Sequence, residues 1–313
     1  MRSHGTWVVA MAAAMALSGC GGDRPETADG GKVRVVASIF PLADVARQIG
    51  GEHVEVSCLL RPGLTPHDYR ATLGDAATVG RARLCLRVGL GLDDWFPPEA
   101  KNVLLLGYAV GVAPPATSAE PHPPGEHAEE GEGGEDEEEH HHGGIDPHVW
   151  LDPAMMQTFV SKLADDLARL DPAHQQDYFQ RRDEYLAKLR QLDEDYRRTL
   201  AGVKIKQFVT FHAAFTYVAR RYGLQQESLH TSMASAPGVG RMKEVTDFIR
   251  AHGVKVVFAE PQFPAENLEA LAKEAGVKVG RLDPEGNPDV RGYDSYLAMM
   301  RSNLAALSEA MKE

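Results

Sequence analysis

Short runs of β-branched and other apolar residues alternate along the chain with longer segments whose apolar positions recur at threes and fours. Val33-Arg34-Val35-Val36-Ala37, Val54-Glu55-Val56-Ser57-Cys58, Leu84-Cys85-Leu86-Arg87-Val88 and Val103-Leu104-Leu105-Leu106 read as four strands of one α/β lobe with a parallel sheet. The pattern recurs after residue 200 as Phe208-Val209-Thr210-Phe211, Glu227-Ser228-Leu229, Val254-Lys255-Val256-Val257-Phe258 and Val277-Lys278-Val279. The predicted fold class is therefore α/β, with two lobes, 33–170 and 201–313, each a parallel sheet flanked by helices.

Between the lobes, Asp171 stands as an N-cap before Pro172 at the first helical position. Tyr178, Tyr185, Leu186, Leu189, Leu192 and Tyr196 follow at helical spacing. This predicts one long amphipathic helix over 171–200, about 40 Å at 1.5 Å per residue, long enough to run the height of both lobes as a rigid spine. A large clamshell closure is then hard to achieve.

Two segments break the alternation. The first 20 residues carry Arg2, an apolar run from Trp7 to Leu17 and then Leu17-Ser18-Gly19-Cys20, the layout of a secretory signal that is too short to span a bilayer. Cys20 after Leu-Ser-Gly resembles the bacterial lipobox, which implies lipid anchoring of an exported protein, with 21–32 as a polar tether. Residues 114–144 hold Pro, Gly, Glu and His without apolar periodicity, the composition of a disordered loop inserted in the first lobe.

Charge changes little once that loop is set aside. The net charge is −12, but eleven carboxylates lie between Glu120 and Asp146, where there is no Lys or Arg, leaving 34 acids against 33 bases. A basic nucleic-acid footprint is absent. Cys58 and Cys85 fall in the second and third strands, and the first strand of a doubly wound sheet lies between those two. Two strand spacings exceed disulfide reach, so both are expected to be free thiols.

The candidate chemistry sits at strand ends. His67 follows the second strand, His148 the fourth, His212 comes directly after Phe211, and Asp283 follows the segment from Val277 to Leu282. Ligands of open parallel sheets bind outside the carboxyl ends of the strands, so two donors from each lobe are expected to converge on a crevice between them. Singly, each has an ordinary reading, His67 as a turn residue and His148 as a packing residue. Three imidazoles and a carboxylate suit Zn2+, whereas calcium and magnesium prefer oxygen, copper(I) prefers sulfur and manganese wants more carboxylate.

At this point whole motifs match a family. Gly63-Leu64-Thr65-Pro66-His67-Asp68-Tyr69, Gly89-Leu90-Gly91-Leu92, the run from Asp146 to Pro153, Thr210-Phe211-His212-Ala213-Ala214-Phe215 and Glu260-Pro261-Gln262-Phe263 resemble the metal-binding proteins of ABC importers, the ZnuA-like group. The resemblance implies two (β/α) lobes on a rigid helix, metal held by His67, His148, His212 and Asp283, and delivery to a membrane permease with its ATPase by a monomer. It also implies zinc over manganese, because manganese members typically carry glutamate where this chain has His212. In some zinc members an acidic residue before the first histidine, or a water, completes the shell. That position is Pro66 here, leaving Asp283 as the fourth ligand with water as the alternative.

The chain departs from the family over Ser232 to Gly238, where a Pro-Glu-x-Glu-Pro-Ser segment is common. His230 nearby reads as an ordinary polar residue or a support to a ligand; His53, His174 and His252 carry no functional expectation. Glu260 either orients a ligand by a hydrogen bond or packs at the lobe interface. His122, His127, His140, His141 and His142 lie in an acidic loop whose ordinary reading is a solvated linker; the His-rich loops of zinc-type members imply a low-affinity metal collector or sensor. Affinity is expected to fall on acidification through the histidine range near pH 6.5. Rival readings are a manganese- or iron-type subunit of the same importer class, a zinc hydrolase, for which no His-Glu-x-x-His motif is present, and a surface protein that buffers metal or serves in cell adhesion.

Overall fold

The computed structural model describes residues 31–112, 145–230 and 237–312. The expected signal segment, the expected anchor residue Cys20, the His-rich loop and the divergent residues 232–236 lie outside the described residues. From Lys32 onward the chain is one compact unit.

Two four-stranded parallel sheets organise it. The first contains β1 (Val33–Ala37), β2 (Val54–Cys58), β3 (Leu84–Arg87) and β4 (Val103–Leu105) in the order β2-β1-β3-β4. The second contains β5 (Gln207–Thr210), β6 (Gln225–Ser228), β7 (Val256–Ala259) and β8 (Lys278–Arg281) in the equivalent order β6-β5-β7-β8. In each sheet the winding reverses beside the first strand, which is where a crevice opens at the carboxyl ends. Ala37 pairs with Cys58 on one side and Leu86 on the other, so β1 separates the two cysteine strands and both thiols are free.

Helices α1 (Phe40–Gly50), α2 (Leu73–Val79), α3 (Leu106–Ala109) and α4 (Pro153–Leu170) belong to the first lobe; α6 (Thr216–Tyr222), α7 (Val239–His252), α8 (Glu266–Ala275) and α9 (Tyr296–Ala310) follow in the second. The linking helix α5 runs from Gln175 to Ala201. It starts three residues later than the sequence pattern suggests, because Pro172–His174 form a separate 3-10 turn. Asp171 caps no backbone amide. Its Oδ2 instead accepts from His174 Nδ1 at 2.7 Å and Tyr178 Oη at 2.8 Å.

The buried stripe of α5, Tyr178, Tyr185, Leu189, Leu192, Tyr196 and Leu200, belongs to a single apolar core that extends from Val33 in β1 to Leu307 in α9. The lobes thus share this core, and each adds a smaller cluster of its own, around Val36 and Cys85 in the first and around Val257 and Leu271 in the second. Hydrogen bonds cross between them as well. Trp150 Nε1 donates to Pro284 O at 2.7 Å, Tyr296 Oη to Trp150 O at 2.7 Å, and Tyr217 Oη to Asp146 O at 2.8 Å. Asp152 caps α4 through the amides of Ala154 and Met155 and also pairs with Arg221 of α6 at 2.6 Å.

A shared core predicts cooperative loss of both lobes. Leu192→Ala removes a fully buried side chain and should lower stability by about 2–5 kcal/mol. Denaturant unfolding should remain a single transition when hydrogen exchange is read separately in β1 and β5; two separated transitions would mean the lobes fold independently.

Candidate metal centre

Each of the three histidines enters the crevice from a different element. His67 sits in the loop between β2 and α2, anchored where Trp95 Nε1 donates to Pro66 O at 2.8 Å. His148 ends the segment that returns to the sheet before α4, and its conformation is set by an aspartate two residues earlier: Asp146 Oδ1 accepts from the His148 amide at 3.0 Å. His212 follows β5 directly. Its carbonyl accepts from Thr210 Oγ1 at 2.5 Å and Gln226 Nε2 at 3.0 Å, and its amide donates to Glu260 Oε1 at 3.0 Å.

The structure brings these three together. His148 Nε2 lies 3.3 Å from His67 Nε2 and 3.3 Å from His212 Nε2, and the three ligand atoms are all within 4.8 Å of one another. A tetrahedral zinc at about 2.0–2.1 Å from each nitrogen requires nitrogens about 3.3–3.4 Å apart. His148 and His212 are buried and His67 partly so.

The outer nitrogens decide which way the lone pairs face. Asp146 Oδ1 is 2.8 Å from His148 Nδ1, and Glu260 Oε2 is 2.6 Å from His212 Nδ1. A carboxylate at Nδ1 places the proton there and leaves the Nε2 lone pair aimed at the shared point. Lone pairs converging at 3.3 Å repel, and a cation between them turns that repulsion into coordination.

Burial pushes His67 down to about 3, and the neighbouring imidazoles His148 and His212 add to this. Burial likewise lowers His148, with Asp146 opposing. Asp146 itself, though burial pushes it up, is held below the usual carboxylate range by the His148 hydrogen bonds. At neutral pH His67 and His148 are therefore neutral, ready to ligate. The expected fall in affinity near pH 6.5 does not apply to these two.

Asp283 is not part of the group. Its two oxygens are taken by Gln262 Nε2 at 2.9 Å, Arg281 at 3.1 Å and the amides of Glu285 and Gly286 at 3.1 and 2.9 Å, so it shapes the turn after β8. Glu285, which the sequence reading passed over, is buried in this turn with Oε2 lacking a hydrogen-bond partner. Burial, then the Asp283 and Glu260 carboxylates, push it well above the usual range. Asp146 was also missed as a supporting group; its signal is an aspartate two residues before a candidate ligand, the spacing of an Asx turn. His230 is buried against Phe211, ring centroids 4.2 Å apart, rather than exposed.

Two equivalent parallel sheets facing each other across a three-histidine centre define a two-lobe metal-binding protein of the extracytoplasmic solute-binding class. Residues 35–310 match the family model of ZnuA, the periplasmic component A of the zinc-uptake complex, and the chain belongs to that family. The high-affinity zinc uptake system protein ZnuA of Bacillus subtilis is 31% identical over 98% of this chain and 97% of its own length. The zinc-binding protein AdcA of Streptococcus pyogenes is 30% identical over 88% of this chain, which spans 56% of AdcA's length. Among solved structures, the periplasmic zinc-binding protein TroA of Treponema pallidum superposes with a TM-score of 0.76 at 26% identity, covering 90% of this chain and 100% of TroA.

Two outcomes follow from the centre. Asp146→Asn should weaken zinc binding about 10–100-fold while leaving the fold intact by circular dichroism. Zinc binding at pH 6, measured by calorimetry in buffers of different ionisation enthalpy, should release fewer protons than three histidines titrating near 6.5 would, because His67 is already neutral there. The linked stability runs the same way. With the folded value of His67 near 3 and the unfolded value near 6.5, the unfolded chain binds more protons in that window, so metal-free stability is fully present above about 6.5 and is lost as pH falls toward about 3.

Proposed function

We propose that this chain captures Zn2+ outside the cytoplasmic membrane and delivers it to the permease of an ABC importer powered by an ATPase. The observation that carries this reading is that His148 Nε2 lies 3.3 Å from the Nε2 atoms of both His67 and His212, with all three ligand atoms within 4.8 Å of one another. The relatives named for zinc uptake support the same cargo. His67, His148 and His212 are the proposed protein ligands, with Glu260 and Asp146 orienting two of them. The fourth position falls to water or to the turn after β8. There Asp283 would have to exchange its present partners for the metal, while Glu285 carries an unpartnered oxygen.

The rest of the reading rests on sequence. Export and lipid anchoring through Cys20 put the protein at the outer face of the cytoplasmic membrane, acting as a monomer. His122, His127, His140, His141 and His142 collect metal at low affinity for the cleft. A second role in adhesion has a structural relative behind it: the laminin-binding protein Lmb of Streptococcus agalactiae, described as bifunctional with adhesin and metal-transporting activity, superposes with a TM-score of 0.74 at 28% identity. The binding role sets aside the hydrolase reading, and imidazole donors favour zinc over manganese.

Calorimetric titration of the metal-free chain with zinc and manganese tests the core of this. A tight one-to-one zinc event should survive deletion of 114–144. In His212→Ala it should weaken by more than the roughly 10–100-fold that loss of a supporting partner costs. Tight binding that vanished with the loop and ignored His212 would make the protein a metal-collecting surface instead. Glu285→Gln and Asp283→Asn, measured alongside, separate a carboxylate in the fourth position from water, because a water-closed shell leaves zinc affinity unchanged in both.

A further inference from the structure

A cavity of about 280 Å³ that shares no residue with the metal centre opens where the two lobes and the linking helix meet, lined by Asp44 of α1, Tyr185 and Lys188 of α5, and Ser295, Leu297 and Arg301 at the start of α9. Tyr185 is only 3% exposed, yet its hydroxyl has no hydrogen-bond partner. Leaving a buried hydroxyl unsatisfied is unfavourable, and a native structure that does so points to something that satisfies it when present. Burial, the largest effect, pushes this phenol well above its usual range and keeps it a donor, and Asp44 and Arg301 are both near enough to act on it electrostatically.

The other groups on the wall are biased toward an anion. Lys188 and Arg301 make no ion pair with any described carboxylate within 4.0 Å, and both reach solvent at the mouth. The fifteen-residue helix α9 begins here, and two of its first amides are already engaged, Ala298 by Ser295 Oγ and Tyr296 by Asp44 Oδ2 at 2.9 Å, which leaves the side chains as the donors for a ligand. Asp44 is the one acid among the lining residues. Burial raises it from its ordinary value, and its Oδ2 is already engaged by the Tyr296 amide.

We propose that this cavity is a binding site for a small oxyanion, a carboxylate or phosphate group whose oxygens accept hydrogen bonds from Tyr185 Oη, Lys188 and Arg301. The site is independent of the metal: it ties α1, α5 and α9 together whether or not the cleft holds zinc. Its volume admits a small metabolite rather than a macromolecule, and the unsatisfied donors select oxygen acceptors over halide.

The test is titration of the full chain, stripped of metal and desalted, with sodium orthophosphate and with sodium succinate, each against sodium chloride at matched ionic strength, followed by calorimetry and thermal unfolding. At least one of the two anions should bind saturably and one-to-one at concentrations up to about 10 mM, the range of a few charge-assisted hydrogen bonds. Whichever does so identifies the source as phosphate or carboxylate. Tyr185→Phe should weaken that binding about tenfold or more without lowering the melting temperature of the anion-free protein, since the hydroxyl it removes has no internal partner. Arg301→Gln should weaken it at least as much. Zinc titration of Tyr185→Phe should match that of the parent chain. Absence of saturable binding at matched ionic strength, or binding that ignores both substitutions, overturns the proposal.

Discussion

Three imidazole nitrogens gathered round one point, with His148 Nε2 3.3 Å from each of the other two and two of the rings buried, are an unfavourable arrangement that the rest of the molecule has to maintain. Neutral lone pairs at that distance repel, and burial denies His67 and His148 the easy escape of protonation. The strain is withstood by what lies behind each ring. His212 is fixed by contacts at its amide, carbonyl and Nδ1, and His148 by Asp146 at both amide and Nδ1. Such a site is assembled before the ligand arrives, so the ordering cost is met by folding rather than by binding.

That preassembly depends on the lobes not moving apart. One apolar core extends through β1, α5 and α9, and the ties from Trp150 to Pro284, from Tyr296 to Trp150, from Arg221 to Asp152 and from Tyr217 to Asp146 all join residues close in sequence to the ligands or their supports. The Tyr217 bond is the most direct: it holds the carbonyl of the residue whose carboxylate orients His148. A displacement of α6 therefore acts on the geometry of His148 without any hinge through α5. Release of the metal is more economically achieved by local shifts of these ties than by opening the whole cleft.

Much of this was legible in the sequence, and for identifiable reasons. Six of the eight strands carry the apolar residues that parallel burial demands, the edge strands β6 and β8 being polar, and the doubly wound order follows from alternation with helices, so the placement of His67, His148 and His212 at strand ends could be inferred before any coordinates. The separation of Cys58 from Cys85 by β1 followed from the same order. The misses have a common cause. Asp283 also follows a strand, but position at a strand end does not say whether a carboxylate's oxygens are already engaged, and Gln262, Arg281 and two amides engage them. The start of α5 depended on whether Asp171 faced the backbone or two side chains, which spacing alone does not encode. Asp146 could have been read from its place two residues before a candidate ligand, whereas Glu285 was invisible as chemistry because its role arises from what tertiary folding brings beside it.

The carboxylates around the centre also explain why a dication, rather than a proton pair or a monovalent ion, suits it. Three imidazoles with neutral ligating nitrogens bring no charge of their own, and two carboxylates, Asp146 and Glu260, stand against the outer nitrogens of His148 and His212. Two negative charges placed one ring away from the shared point balance two positive ones there, while the rings keep the anions from ligating directly. Glu285 would upset that balance if ionised, and its burial beside Asp283 and Glu260 keeps it protonated. Substituting a ligating carboxylate for any of the three imidazoles would add a negative charge inside the shell and move the preference toward harder ions. Selectivity among ions is thus written in the three nitrogens that meet at the centre and the two supporting carboxylates held behind them, an arrangement that the two lobes, tied through a shared core, keep from changing.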